Sequence, residues 1–339
     1  MRAAVLVEPG RFELQSRPRP VVQAGDVLVK VERVGICGTD LHIFHGHYAA
    51  DKLPLVPGHE FVGVVESVGA GAGRFKPGQR VVVDINVGCG TCYWCRRNEI
   101  LSCPEMQQLG ISRDGAFAEY VSVPSRLVIS VPEGMPAEVA ALTEPVACVV
   151  RAARKARVAL GSSVVILGAG PIGNLHVQMM RLLGAAPIIA FDLSESRCAM
   201  AKAVGADEAV SDLAPLHEVV LSRTDGRGAD LVIESVGAAS LYAEAFKLIR
   251  RGGHVAFFGI PEAGATVPVD ILQTILREDS LKGSVAGMGE DMHDALTLLA
   301  HGRFNTRCFT GASFVLEDIQ LAFESVPKRP QHLKTQIVF

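Results

Sequence analysis

At 339 residues, 49% of them hydrophobic and 20% charged, the chain can bury ordinary cores and has room for two domains. A net charge of −3, with Lys and Arg spread widely, excludes the one-sided basic footprint of a nucleic-acid binder. No apolar run reaches the ~18 residues of a membrane span.

Residues 1–7 read as a first strand, broken by Glu8-Pro9-Gly10 too soon to be a secretory signal. The protein is therefore expected in a reducing cytoplasm, where cysteines more often bind metals than pair. Up to residue ~145, short strands alternate with Gly/Pro turns, as at 27–34, 61–68, 79–85 and 116–123. That pattern is β-rich. Within it, Gly58-His59-Glu60 places a histidine 22 residues after Cys37, and Thr143-Glu144-Pro145 closes the region. Cys37, His59, Glu60 and Glu144 can bring a thiolate, an imidazole and carboxylates to one ion. Such a donor set suits a zinc with an open, catalytic position. Taken singly, His59 could be a hydrogen-bonded loop residue and Cys37 a core residue.

Between these motifs, Cys89, Cys92, Cys95 and Cys103 form C-x2-C-x2-C-x7-C. Four thiolates within fifteen residues can close a tetrahedron around a structural zinc. The reducing compartment and tight spacing disfavour disulfides. The residues after the fourth cysteine do not follow the ferredoxin pattern of an Fe–S site. Cys148, Cys198 and Cys308 read as small packing residues.

From Ser163 onward the pattern changes. Short apolar runs at 164–167, 188–191, 231–233 and 254–258 alternate with helical stretches such as 172–183 and 195–204. The expectation is a parallel sheet with crossover helices. Gly168-Ala169-Gly170-Pro171-Ile172-Gly173 follows the first run and opens a helix, which is the context a dinucleotide turn requires. The first glycine permits the tight turn, the second lets backbone approach a pyrophosphate, and the third lets helix and strand pack closely. Asp192 lies 19 residues past Gly173, at the end of the next run. A carboxylate there accepts hydrogen bonds from both ribose hydroxyls and repels a 2′-phosphate, which favours NAD over NADP; the alternative is a turn or cap aspartate before Ser194. The expected cofactor set is Gly168, Gly170, Pro171, Ile172, Gly173, Asp192 and Arg197. Helices at 291–300 and 316–324 and a strand at 335–339 complete the chain, without internal repeats.

Five segments together resemble the zinc-dependent medium-chain alcohol/polyol dehydrogenases over essentially the whole length. They are Gly35-Ile36-Cys37-Gly38-Thr39-Asp40-Leu41-His42, Gly58-His59-Glu60 with Gly63 and Val68-Gly69, the four-cysteine loop, Glu144-Pro145, and Gly168–Gly173 in register with Asp192. The resemblance implies an α/β protein: a GroES-like β-rich catalytic domain (1–147 and 284–339) and a Rossmann, doubly wound parallel-sheet domain (148–283), with the active site in the cleft between. It implies two zinc ions per chain and NAD. Cys37 and His59 are then ligands of the catalytic zinc, with Glu60 and Glu144 sharing the remaining protein positions, and Cys89, Cys92, Cys95 and Cys103 hold the structural one. Other alcohol dehydrogenases of the family carry a second cysteine where Glu144 stands. The sorbitol, galactitol and sugar-acid branch carries Glu-Pro, and threonine dehydrogenases tend to carry Asp-Pro-Phe-Gly.

The family passes the substrate proton outward through a Ser or Thr and a His, positions held here by Thr39 and His42. The expected reaction moves a hydride from a secondary hydroxyl of a polyol or sugar acid to NAD+. Polyol dehydrogenases often show Thr-His-Arg-Phe before the last helix; Ser313 stands where that Arg would be, with Arg307 nearby, which argues against sorbitol dehydrogenase itself. His45 and His47 are candidates for lining the substrate pocket, or for an exposed loop. An L-threonine 3-dehydrogenase or a simple secondary alcohol dehydrogenase is the rival enzyme. A non-catalytic nucleotide-binding relative is the rival of another class, disfavoured because every zinc-ligand position is filled. Relatives form dimers or tetramers, and a homotetramer is expected.

Overall fold

The structure, a computed structural model, describes residues 1–326 and 332–339. The chain forms two compact units. The first comprises Met1–Ala147, Ala286–Gly302 and Phe309–Phe339; the second comprises Cys148–Val285 and Arg303–Cys308. The breaks fall after Ala147 and Val285, where the sequence suggested 147 and 284, and Arg303–Cys308 groups with the second unit.

The first unit is built on a seven-stranded sheet whose centre is the strand Asp26–Gly35. Val27, Val29, Val31 and Val34 face the core from that strand, as valine does on a half-buried pleated surface. It pairs antiparallel with Glu60–Val68, from Val27 opposite Val68 to Gly35 opposite Glu60. On its other side lies Thr335–Val338, with Gln336 opposite Gly35. Three strand ends therefore meet around Gly35, two residues before Cys37. Gly63 permits close crossing of the central pair, because a Cβ there would lie 2.3 Å from the Lys30 carbonyl oxygen. Phe12, Phe44 and Phe323 seal one edge of the core, with ring centroids 4.8 to 5.7 Å apart.

Two expectations shift. The strand expected at 116–123 begins only at Tyr120. The preceding residues are taken by the turn before His59: the N–H groups of Ala116 and Phe117 donate to the carbonyls of Gly58 and Pro57 at 2.8 and 3.0 Å. The helix expected at 316–324 opens as a 3-10 turn, Leu316–Asp318, and becomes α-helical over Ile319–Ser325.

The second unit holds a six-stranded, all-parallel sheet. Taking its strands in chain order as Val164–Leu167, Ile188–Phe191, Glu208–Val210, Ala229–Glu234, Ile249–Phe257 and Ser280–Gly283, the spatial order is 3-2-1-4-5-6. This is the doubly wound Rossmann arrangement, whose topological switch point lies beside strand one. Helices Pro171–Leu182, Glu195–Val204, Leu216–Arg223 and Ala239–Leu248 connect the strands. The first strand is wholly buried, as expected of the inside of a parallel sheet.

Candidate active site

Cys37 caps the short helix Gly38–Phe44. Its N–H donates to Asp40 Oδ2 at 2.8 Å, so Asp40 closes the first turn in the manner of a capping box. Asp40 is wholly buried, and its other oxygen serves a different segment. Oδ1 accepts the Gly58 N–H at 3.3 Å and faces His59 Nδ1 at 3.2 Å. One carboxylate thus fixes both the Cys37 turn and the His59 turn, the task of an outer-shell partner in a metal site. Gly58 has φ +93°, and backbone crowds it: a Cβ on Gly110 or Gly115 would lie 2.4 or 2.3 Å from its carbonyl oxygen.

Glu60 begins the next strand and is wholly buried. Gly35 leaves space for it, since a Cβ at Gly35 would lie 2.3 Å from Glu60 Oε2. One donor atom from each of Cys37, His59 and Glu60 lies within 4.8 Å of the other two. His59 Nδ1 and Glu60 Oε2 are buried without an aligned hydrogen bond. A thiol, an imidazole and a carboxylate converging in this way fit zinc.

The surroundings favour positive charge. Burial works against a charged His59, yet Asp40 and Cys37 outweigh it and hold the imidazole pKa well above its ordinary value. Lys334, also buried, places Nζ 2.8 Å from Glu60 Oε1 and 2.6 Å from Oε2. Burial opposes its charge too, but Glu60, Cys37 and Glu144 together raise its pKa. Lys334 therefore neutralises the carboxylates beside the cluster. Glu144 is buried in the first turn of the helix Thr143–Ala156. It does not join the 4.8 Å group of Cys37, His59 and Glu60, and its field reaches Lys334. Asp40 and Lys334 are the residues to which sequence reasoning gave no role. Asp40 stood within the quoted motif, whereas Lys334 had no local signal.

Thr39 and His42 lie three residues apart on the helix after Cys37, both half-buried, a spacing that places them on one helical face. His45 and His47 are exposed just beyond it.

The four-cysteine loop is a second donor cluster. Sulfur atoms of Cys89, Cys92, Cys95 and Cys103 all lie within 4.8 Å of one another, and none is in a disulfide. Cys92 caps the one-turn helix Tyr93–Arg96, its sulfur accepting the Cys95 N–H at 3.5 Å. Hydrogen bonds led by the Thr91 and Cys92 backbone lower the Cys89 pKa to about 6. Cys95, despite the Gly90 amide, is raised to about 12 by burial and by Cys92, Cys103 and Cys89. Thiols this close cannot all ionise without a cation among them, so this set also fits zinc.

In the second unit Gly168 has φ +96°, and Gly173 packs so tightly that a Cβ there would lie 1.8 Å from the Gly168 carbonyl oxygen. Gly170 caps the helix Pro171–Leu182, with Pro171 at its first turn. Ile172 is the second residue of that helix. A Cβ on Gly170 would meet only Arg197, at 3.9 Å, so that backbone stands open to a ligand. Asp192 accepts the N–H groups of Ala169 and Ser194 at 2.9 Å each and lies 3.6 Å from Arg197. The glycine turn, Asp192 and Arg197 therefore lie at the carboxyl ends of the strands, where open α/β sheets bind ligands.

Residues 23–133 match the alcohol dehydrogenase GroES-like domain, and residues 171–301 match the zinc-binding dehydrogenases. The chain is 32% identical to a sorbitol dehydrogenase from Bacillus subtilis, over 96% of this chain and 93% of that one. It is 34% identical to an L-threonine 3-dehydrogenase from Chelativorans sp., over 84% and 83%. The solved structure of an alcohol dehydrogenase from Thermus sp. ATN1 is similar with a TM-score of 0.92 and 30% identity, covering 100% of this chain and 99% of that one. No helix among the described residues is long and apolar enough to cross a membrane. With both halves matched and the resemblance running from end to end, the chain belongs to the zinc-dependent medium-chain alcohol/polyol dehydrogenase family.

Proposed function

We propose that the protein oxidises a secondary hydroxyl of a polyol or sugar acid with NAD+, giving a ketose or keto-acid, NADH and a proton. The observation that carries this reading is the cluster of half-buried Cys37 with buried His59 and Glu60, with Glu144 in place of a second cysteine. Cys37 and His59 hold the metal, and Glu60 and Glu144 supply the remaining protein positions. Cys89, Cys92, Cys95 and Cys103 hold a second, structural zinc. Zinc with an open position supplies a Lewis acid that acidifies a hydroxyl, and NAD+ supplies the hydride acceptor.

The chain's own groups do the rest. Thr39 Oγ1 accepts the substrate proton and His42 carries it outward, an imidazole being suited to this near neutral pH. Asp40 keeps His59 and Cys37 in place, and Lys334 limits the repulsion between Glu60 and Glu144. Gly168, Gly170, Pro171, Ile172 and Gly173 cradle the pyrophosphate. Asp192 accepts the ribose hydroxyls beside Arg197 and disfavours a 2′-phosphate.

Relatives named for sorbitol and for threonine stand at nearly equal identity, so the choice of substrate rests on residues. Glu144-Pro145 favours a polyhydroxylated substrate over threonine. The deciding experiment follows NADH formation with hexitols, pentitols, aldonates, inositols and L-threonine, alongside zinc analysis. Turnover confined to threonine overturns the polyol reading, and a zinc-free active enzyme overturns the metal assignment.

A reducing cytoplasm suits the free thiols. A homo-oligomer is supported by the helix Ile271–Arg277, where Ile271, Leu272, Ile275 and Leu276 are 62% to 66% exposed; a tetramer is the state expected by resemblance. The helix lies next in sequence to the exposed strand Ser280–Gly283, whose outer edge pairs with no other strand among the described residues, and such an edge suits pairing with a second copy. Light scattering of the purified protein tests it.

A further inference from the structure

We propose that Glu234 is a positioning residue for the dinucleotide: its carboxylate fills a nest of backbone amides and so fixes the loop that walls the crevice beside the glycine turn. The inference rests on the dinucleotide reading given above. Glu234 ends the strand Ala229–Glu234, opposite Leu167 on one side and Phe257 on the other. It therefore sits where three strand-ending loops meet at the carboxyl edge of the sheet. Its side chain is wholly buried and has no cationic partner among its bonds. Instead, Oε1 accepts the N–H groups of Val236 and Gly237 at 3.0 Å each, and Oε2 lies 3.0 Å from the Gly237 nitrogen.

Consecutive amides converging on one point form a ready anion seat, of the kind that takes phosphates elsewhere. Here the chain fills that seat with its own carboxylate. The occupied nest has two consequences. It removes a competing anion site from the crevice, leaving the amides at the start of the helix Pro171–Leu182 to receive the pyrophosphate. It also locks residues 235–237 between the neighbouring loops. On one side, Ser235 Oγ lies 2.9 and 3.0 Å from the carbonyl oxygens of Leu167 and Gly168. Val236, 50% exposed, lies against Gly168, where a Cβ would approach its Cγ2 to 2.4 Å. On the other side, a Cβ on Gly259 would lie 2.1 Å from the Gly237 nitrogen and 2.6 Å from Glu234 Oε2. The Tyr242 hydroxyl, on the helix Ala239–Leu248, donates to the Gly259 carbonyl and also interacts with the Glu234 carboxylate, tying the third loop to the nest.

Burial alone disfavours a carboxylate here and raises its pKa despite the amides. The amides offset part of that cost, and without the carboxylate the Val236 and Gly237 N–H groups would lose their acceptor. Glu234→Gln tests the assignment, because the volume is kept while an amide NH2 replaces one acceptor oxygen. NADH affinity is titrated by fluorescence at 25 °C, and the melting temperature is recorded in parallel. The expected result is a Kd for NADH raised about 10-fold in Glu234→Gln, the scale of one lost charge-assisted hydrogen bond. Tyr242→Phe is expected to raise it about 3-fold, and zinc content is unchanged in both. A Glu234→Gln variant that melts lower but binds NADH as the wild type does reduces the residue to a structural one and overturns the proposal. Should that variant not fold, Glu234→Asp, which keeps the charge but draws it back from the amides, takes its place, and wild-type NADH affinity there overturns the proposal equally. Failure of the wild-type protein to bind NADH is a separate outcome, which removes the dinucleotide reading and this inference with it.

Discussion

The two donor clusters of the first unit are built from very different lengths of chain. Cys89, Cys92, Cys95 and Cys103 come from one loop, and three of the four are only half-buried. Their sulfurs are held mainly by the loop's own N–H groups. Cys37, His59 and Glu60 come from separate strand and helix ends, and Asp40 and Lys334 are needed to hold and neutralise them. The first cluster is saturated with ligands of one kind, so a cation there is closed off from substrate. The second mixes sulfur, nitrogen and oxygen and depends on the surrounding sheet. Chemical openness is thus obtained where the scaffold, rather than the ligand loop, supplies rigidity.

Substitutions on the two sides of this comparison separate in size. Cys37→Ser is expected to have the largest effect. Activity falls by at least ~10^3-fold, because a Lewis acid worth several kcal/mol is lost, while metal analysis shows the loop zinc retained. Loss of both metals would show that the clusters are not independent. Next is Lys334→Met, which leaves Glu60 buried without its cation. The metal-free protein should lose ~3–5 kcal/mol in urea unfolding, and added zinc should restore part of it. An unchanged midpoint would mean that Glu60 is not charged there. Asp40→Asn follows, with zinc affinity of the buried site lowered ~10- to 100-fold in chelator competition. The loop site, which has no such partner, keeps its affinity. Cys92→Ser is the mildest for turnover. Freshly prepared enzyme should work within about 2-fold of wild type, while its melting temperature falls by several degrees as the loop zinc is lost. A large immediate loss of turnover would give the loop a part in the chemistry.

What the sequence revealed follows the same division. The cysteine tetrad was legible because its geometry is set by spacing within one loop. The glycine turn was legible because strand, turn and helix are consecutive, and the 3-2-1-4-5-6 strand order supplies the context that motif needs. Asp40 could be read as part of a motif but not as a bridge, since its second partner, Gly58, arrives only when two turns fold together. Lys334 was invisible because it pairs with a residue 274 positions away. Pro145, read only as part of the Glu-Pro motif, lies in the first turn of a long helix, where a missing N–H costs nothing. The strand Ile249–Phe257 was foreseen only from 254, because Gly252 and Gly253 interrupt its apolar run. Ser280–Gly283 is exposed at all four positions, so no alternation marked it.

The strand Thr335–Val338, with Lys334 just before it, has a consequence for biosynthesis. It inserts between Ala312–Val315, just upstream of it, and Asp26–Gly35, far earlier in the chain. A nascent chain can therefore close its cysteine loop around a metal as soon as that loop emerges. Glu60 gains its counter-charge only once Lys334, 274 positions later, has been made. Until Lys334 is made, the Glu60 carboxylate beside Cys37 lacks its lysine partner, so the order of synthesis delays completion of this cluster.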